Sequence, residues 1–318
     1  MFFPSIPDFQ YHRDAIAPYQ KVPQSIEHFS GKPEFLMYRQ SISSEFSSFI
    51  DLHNLIFEAS RILNFGCESP IFAGSQLKKL SLGSKYLKLN TKNMKVFDKF
   101  GKIEFMDTIE FYFLSVIKWI TYFDEFHKLD IKDQMSLLFS IWHVWMKFQK
   151  CCVTATFRKT NRNPDEHILR NSVWDIKKAR MDCTWISDYP KEYVAMYMQS
   201  QNIYEYEIME EFVKLNPTDT ELTFMFAQTC FEYAGKRFQG EILKITDGFQ
   251  EVLSSDLHNY YVNERRNPRY IGRLTELMKL NNLKSIWESR PQRELSKVFD
   301  VIKVRYSHPE MFEDSEFN

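Results

Sequence analysis

The chain has 318 residues, with 41 Lys plus Arg against 42 Asp plus Glu, a net charge of −1. Without an excess of positive charge, direct nucleic-acid binding by this chain is not expected. Aromatics at 16% and only 9 glycines favour a helical protein with a bulky core over a sandwich or barrel.

Taken in order, residues 1–40 carry Pro4, Pro7, Pro18, Pro23 and Pro33 among polar residues and read as an irregular arm. Residues 42–63 place Phe46, Phe49, Ile50, Leu52, Leu55, Ile56, Ala59 and Leu63 at helical spacing, with Gly66 as the stop. Residues 64–103 predict a long connection holding one short helix. The stretch 104–157 contains no glycine and no proline, and it organises the chain. Phe105, Ile109, Tyr112, Phe113, Val116, Ile117, Ile120 and Phe123 cover most of one helix through residue 126. Leu137, Leu138, Ile141, Trp142, Trp145, Met146 and Phe148 do the same for a second. Helices apolar nearly all round are buried on several sides, so these two form the middle of a large helical domain. A tight turn at 127–130 joins them. Asp130 caps the second helix and Asp133 adds favourable charge at its start.

Residues 158–190 lose the pattern and predict a small β-hairpin. Helices follow over 190–214 with Pro190 in its first turn, 219–237 capped by Thr218 or Asp219, 240–267 ended by Pro268, and 271–289. Residues 295–304 are apolar, and the tail runs from Tyr306 to Asp314. The whole predicts one all-α domain of about ten helices with no internal repeat.

Cys67, Cys151, Cys152, Cys183 and Cys230 are odd in number and lack a Cys-x-x-Cys spacing, so reduced thiols are expected. No histidine pairs with another His or Cys at ligand spacing, so neither metal nor cofactor is expected. The uncharged run Gln134–Met146 is shorter than the roughly 20 apolar residues a bilayer span needs. The N-terminus lacks a signal-peptide pattern, and an intracellular protein without a membrane segment follows. A helical isoprenoid-type enzyme needs clustered carboxylates for magnesium and diphosphate. Asp124 and Glu125 have no further acid near them but Asp130, so no enzyme activity is expected. Thr108, Tyr112, His143 and Cys152 are isolated polar tips on apolar faces. They read either as plain core or as the placed polar groups of a ligand cavity.

The order Phe126-His-Lys-Leu-Asp-Ile-Lys-Asp-Gln134, Leu137-Leu138 and Trp142 resembles the signature of nuclear hormone receptor ligand-binding domains. Trp119, the run Leu257–Leu283 and the ending Ser307-His-Pro-Glu-Met-Phe312 agree with it, the last being similar to the nematode-expanded branch akin to hepatocyte nuclear factor 4. The resemblance implies a three-layer antiparallel helical sandwich over residues 41–318, without a DNA-binding zinc domain in this chain. That fits an excised domain or a receptor lacking one. It implies a pocket for a small lipophilic ligand lined by Phe105, Thr108, Ile109, Tyr112, Phe113, Trp142, His143 and Met146. It implies a groove for a coregulator helix at Ile117, Thr121, Met135, Leu138 and Phe139. It also implies a homo- or heterodimer seam at Leu274, Leu277, Met278 and Leu283, and transcriptional regulation in the nucleus, with the cytoplasm as a second location. The sequence departs from the family where its clamp lysine falls at Thr121 and its carboxylate-binding arginine at Val153. Met311-Phe312-Glu313-Asp314 keeps only half of the activation-helix pattern. A self-filled pocket in a constitutive or dominant-negative dimerisation module is the alternative expectation.

Overall fold

The computed structural model describes residues 48–66, 72–84, 94–159, 161, 163, 165–170, 172–175, 178–187, 189, 194, 202–283, 301–313 and 315. The expected arm at 1–40 and the start at Pro190 lie outside them. Strand β1 (Ser48–Ile50) precedes helix α1 (His53–Phe65) and α2 (Gln76–Leu82). The short strands β2 (Lys95–Phe97) and β3 (Lys99–Phe100) lead into α3 (Lys102–Ile120), the one-turn α4 (Asp124–His127) and the long α5 (Ile131–Arg158). Strands β4 (Glu166–Leu169), β5 (Ser172–Asp175) and β6 (Arg180–Met181) follow. The second half holds α6 (Asn202–Leu215), α7 (Asp219–Phe238), α8 (Gly240–Asn259) and α9 (Ile271–Leu283), then β7 (Val304–Tyr306) and a 3-10 turn (Pro309–Met311).

The layers stack as the apolar surfaces demand. α3 and α5 lie together, α7 and α6 cover the other side of α5, and α8 covers α7. α1 lies on α3, α2 on α7 and α8, and α9 on α6 and α7. α5 carries seventeen buried residues along its 28, so it is surrounded on all sides. The caps follow the sequence. Asp130 accepts from the Asp133 N–H at 2.8 Å. Thr218 and Glu221 form a reciprocal capping box at the start of α7. Gly66 ends α1 at φ +80, a backbone region that favours glycine.

Several expected boundaries are corrected. The helix expected over 104–126 ends at Ile120. Thr121 to Phe123 form a tight turn, with Tyr122 N–H bonded to Trp119 O and Phe123 N–H to Ile120 O. α2 holds this turn. The Gln76 amide brackets Asp124, accepting from its N–H and donating to its carboxylate, both at 2.9 Å. A Cβ on Gly83 would meet the Tyr122 ring at 2.3 Å, so a glycine is required at that approach. The helix expected over 42–63 begins at His53, because 48–50 form β1. β1 pairs in parallel with β7, Ser48 opposite Val304 through Ile50 opposite Tyr306. Such a pairing between opposite ends of a chain leaves no local signal. α8 gives way at Tyr260 to a π-turn (Tyr260–Glu264) rather than running to 267. The expected hairpin is present as antiparallel β4–β5, and β2 adds to β5 in parallel. Residues 284–289 of the last expected helix lie outside the described residues.

Candidate functional site

All eight residues expected to line a pocket are buried, on the facing sides of α3 and α5 and beside them. Phe105 meets Trp185 at 4.9 Å between centroids, Phe113 meets Trp142 edge-on at 6.5 Å, and Tyr112 meets Trp145 at 6.3 Å. His143 stands edge-on to Tyr233 at 5.2 Å. Ile109 is wholly buried and Met146 nearly so. Edge-to-face pairs of this kind interlock a core beyond their area alone.

Two of the polar tips, Thr108 and Tyr112, are bonded within the chain. Thr108 donates to the Glu104 carbonyl at 2.6 Å, one turn back on its own helix. The Tyr112 hydroxyl accepts from the Arg170 N–H at 3.0 Å, and burial pushes its pKa up to about 12. Arg170 sits in the β4–β5 turn at φ 60, a strained setting for a side-chain-bearing residue. Its guanidinium pairs with Asp107 at 3.2 Å and lies over Phe111. The hairpin is therefore pinned to α3 by one hydrogen bond to the core and one ion pair outside it. Replacing Tyr112 by Phe leaves a backbone N–H without its acceptor. We expect a loss of about 1–2 kcal/mol, since an orphaned buried donor forfeits its desolvation cost. Denaturant unfolding measures it, with faster amide exchange at Arg170.

The far end of α5 carries a second polar knot. Arg158 donates to the Glu166 carbonyl and approaches His167 Nε2 and Met209 Sδ, each at 3.4 Å. Burial, with Lys150 and Arg158 adding positive charge, lowers the His167 pKa to about 3, so this imidazole is neutral. Val153, the position at which the family's carboxylate-binding arginine falls, is buried and apolar.

The residues expected in a coregulator groove divide. Ile117, Thr121 and Leu138 are buried, whereas Met135 and Phe139 are half-buried and packed on the core. Thr121 turns its hydroxyl to the Lys118 carbonyl at 2.8 Å, and its own carbonyl lies 2.8 Å from His127 Nε2. Ile131, which the sequence reading passed over, is 49% exposed one turn before Met135. Of the expected dimer seam, Leu277 is wholly buried within this chain, and Leu274 and Met278 are half-buried. The Leu283 side chain lies outside the described residues.

The C-terminal tail supplies what sequence reasoning missed. Trp142 Nε1 donates to the Met311 carbonyl at 2.8 Å in a buried setting. Phe312 is fully buried, stacked on Tyr306 at 4.0 Å and edge-on to Trp142 at 5.7 Å. Glu313 pairs with Arg237 at 2.7 Å. The ending Ser307–Asp314 was recognised in sequence by its resemblance, but its docking on Trp142 was not.

A stack of helices around a fully enclosed α5, an aromatic interior closed by a short hairpin, and a C-terminal tail folded back onto α5 define a ligand-binding domain of the nuclear receptor class. The comparisons agree. Residues 90–299 match the family described as ligand-binding domain of nuclear hormone receptor, and the chain belongs to that family. It is 55% identical over 316 residues to nuclear hormone receptor family member nhr-115 of Caenorhabditis elegans, a span covering 97% of this chain and 81% of that protein. To nhr-130 and nhr-90 of the same organism it is 40% identical, covering 96% and 97% of this chain and 76% and 80% of those proteins. No helix among the described residues is long and apolar enough to cross a membrane. Among the same residues no cluster of His, Cys, Asp or Glu is arranged to hold a metal ion.

Proposed function

We propose that residues 41–318 act in the nucleus as the ligand- and coregulator-binding domain of a transcriptional regulator, taking a small lipophilic ligand between α3, α5 and the β4–β5 hairpin. The observation that carries this reading is the convergence of Phe105, Ile109, Tyr112, Phe113, Trp142 and Met146 in one buried apolar cluster, with the Tyr112 hydroxyl at the hairpin edge. Ligand pockets are mostly apolar with a few placed polar groups. A coregulator helix would rest on Met135, Phe139 and the exposed Ile131, over the buried floor of Ile117, Thr121 and Leu138. Leu274 and Met278 remain for a dimer seam with a like or unlike receptor.

Native mass spectrometry of the purified chain, followed by extraction of anything bound, tests the pocket. We expect a near-stoichiometric lipophilic molecule that is lost on widening the Tyr112 edge with Tyr112→Ala. A second reading is favoured by the internal bonds of Thr108 and Tyr112 and by the tail anchored on Trp142. In it the aromatics fill their own pocket and the domain acts constitutively. An apo mass under all preparation conditions, with the tail fully protected from amide exchange, establishes that second reading and overturns the first.

A further inference from the structure

Three arginines stand between α8 and α9 with no partner inside the chain. Arg265, Arg266 and Arg269 are exposed, and among the described residues none of their guanidinium groups takes part in an ion pair or hydrogen bond. Elsewhere Arg61, Arg170, Arg180, Arg237 and Arg273 each reach a carboxylate, at 2.6 to 3.8 Å. The acid nearest in sequence, Glu264, lies 3.6 Å from Lys78 of α2 instead. Like charges gathered in so short a stretch repel one another, and a negative group placed among them would be stabilised.

The same loop presents a hydroxyl. Tyr270 closes it, just before α9. Among the tyrosines whose burial is described, Tyr112, Tyr122, Tyr189, Tyr260, Tyr261 and Tyr306 are buried, and Tyr233 and Tyr270 are not. The Tyr233 ring is engaged by His143 of α5. The Tyr270 ring lies flat on Tyr261, at 4.5 Å and 5°. Its hydroxyl reaches the surface 2.9 Å from Nδ1 of the exposed His258. The backbone that carries it is fixed. Arg265 N–H bonds to Tyr260 O at 2.9 Å and Asn267 N–H to Tyr261 O at 2.8 Å. The Asn267 side chain accepts from the Arg269 N–H at 3.2 Å, and Arg266 is held at φ 52. A strained residue persists only where its surroundings determine it.

We propose that Tyr270 is a phosphorylation site and that Arg265, Arg266, Arg269 and His258 receive its phosphate. A protein tyrosine kinase carries out the transfer, with a nucleoside triphosphate as donor. The Tyr270 oxygen forms a bond to the γ-phosphorus, the bond from that phosphorus to the β,γ-bridging oxygen breaks, and the nucleoside diphosphate leaves. The phenolic proton passes to the kinase's base. The product carries about two negative charges and three acceptor oxygens. Arginine suits such a group because its planar fork donates two parallel hydrogen bonds. The phosphate takes the place of the hydroxyl beside His258, whose ring nitrogen then donates to it. The direction of the effect follows from the charges around the site. Glu264 is turned to Lys78 of α2, and Arg273 of α9 is committed to Glu221. With those pairs cancelled, the three loop arginines leave the surroundings positive. Phosphorylation therefore tightens the join of α8 and α9 rather than melting it. Tyr270 belongs to no element of the proposed ligand pocket, so the inference stands whether or not the domain binds a ligand.

The test treats the purified full chain with a tyrosine kinase and magnesium nucleoside triphosphate, and locates the phosphate by mass spectrometry. R265A/R266A/R269A is the main variant, with unfolding temperature as the folding control, and Tyr270→Phe identifies the Tyr270 phosphorus signal by difference. We expect phosphate on Tyr270 of the folded wild type. Its phosphorus-31 titration should give a second pKa below the ordinary value near 6, by about half a unit or more, because nearby cations favour the dianion. In the phosphorylated arginine variant that value should return to the ordinary one, while the unmodified variant unfolds at the wild-type temperature. Amide exchange at residues 265–274 should slow on phosphorylation of the wild type and not of the variant. Absence of phosphate from Tyr270 in the folded chain would overturn the proposal. So would a titration that the arginines leave unchanged, or faster exchange in the loop after phosphorylation. An unmodified arginine variant that unfolds at a lower temperature would overturn it too, by showing that the guanidinium groups already hold the fold.

Discussion

Glu221→Gln is expected to destabilise the folded chain by about 3–5 kcal/mol, among the largest losses from any single substitution. Glu221 is 3% exposed at the start of α7, and its carboxylate accepts four hydrogen bonds from three groups. Arg273 of α9 donates to both of its carboxylate oxygens, at 2.8 and 2.9 Å, and adds a bond to the Leu215 carbonyl at 2.8 Å. Tyr261 of the π-turn donates to it at 2.6 Å, and the Thr218 N–H at 2.8 Å closes the capping box. A single side chain therefore ties α6, α7, α9 and the π-turn together. The amide of Gln keeps one acceptor and brings a donor opposite the guanidinium. The partly exposed Arg273 guanidinium is then left without its counter-charge, which costs more than the bonds alone.

The same network predicts an acid limb in stability. Burial acts to raise the Glu221 pKa, but the bonds from Arg273, Tyr261 and the Thr218 amide overcome it and lower the pKa to about 2. In the unfolded chain a glutamate titrates near pH 4.3. The folded pKa is the lower one, so the stabilisation is fully present above pH 4.3 and is lost as pH falls towards 2. Above that range the unfolded state binds no extra proton and the contribution is flat. We expect a decline of roughly 3 kcal/mol across that window in the wild type. In Glu221→Gln this part of the slope should disappear, because a group that does not titrate has no linkage. Urea unfolding at stepped pH checks both. A variant with wild-type midpoint, or with the acid limb unchanged, would place the stabilisation elsewhere.

The parts of the fold that could be read from sequence are those determined by contacts close along the chain. The apolar circumference of 104–157 gave α3 and α5 as the buried middle, because a side chain repeating every 3.6 residues shows its burial directly. Asp130 and Thr218 marked helix starts because a cap acts within three residues. What was not legible depends on distant partners. The end of α3 at Ile120 is determined by α2, whose Gln76 and Gly83 receive Asp124 and Tyr122 from some 40 residues away. β1 has no strand pattern of its own and exists because β7 lies beside it. In the site, periodicity showed that the apolar residues are buried, while their place in a pocket came only from the resemblance, and the bonds of the polar tips could not be read at all. Nothing near Tyr112 in sequence indicates that Arg170 lies against its hydroxyl, and nothing near Trp142 indicates Met311. Thr121, where the family's clamp lysine falls by position, is the C-terminal cap of α3 and turns its short hydroxyl back to the Lys118 carbonyl.

Phe312→Ala is expected to destabilise the chain by about 3–5 kcal/mol and, more tellingly, to release the tail while leaving the helical stack folded. Phe312 fills the space between Tyr306 and Trp142, and its removal leaves a cavity under both rings. The energy lost is shared by elements that reinforce one another. The Trp142–Met311 bond brings the 3-10 turn onto α5. The Lys303 N–H to Ile186 O bond, at 2.7 Å, and the register of β7 on β1 hold the approach to it. The Ser307 hydroxyl accepts from the Leu52 N–H at 2.8 Å at the entry to α1. With Phe312 gone, the weakest of these bonds open first, since local opening is governed by the few contacts that a segment makes. Hydrogen exchange should then show residues 304–313 deprotected together with 48–52, their pairing partners, while α5 and α7 keep their protection. Glu313→Ala serves as the contrast. It removes the partly exposed pair with Arg237, whose loss is expected to be below about 1 kcal/mol. If both variants release the tail equally, charge and not the Phe312 contact holds it. If neither does, the tail is fastened by the β1–β7 pairing alone, and docking of the chain end on α5 is no condition for it.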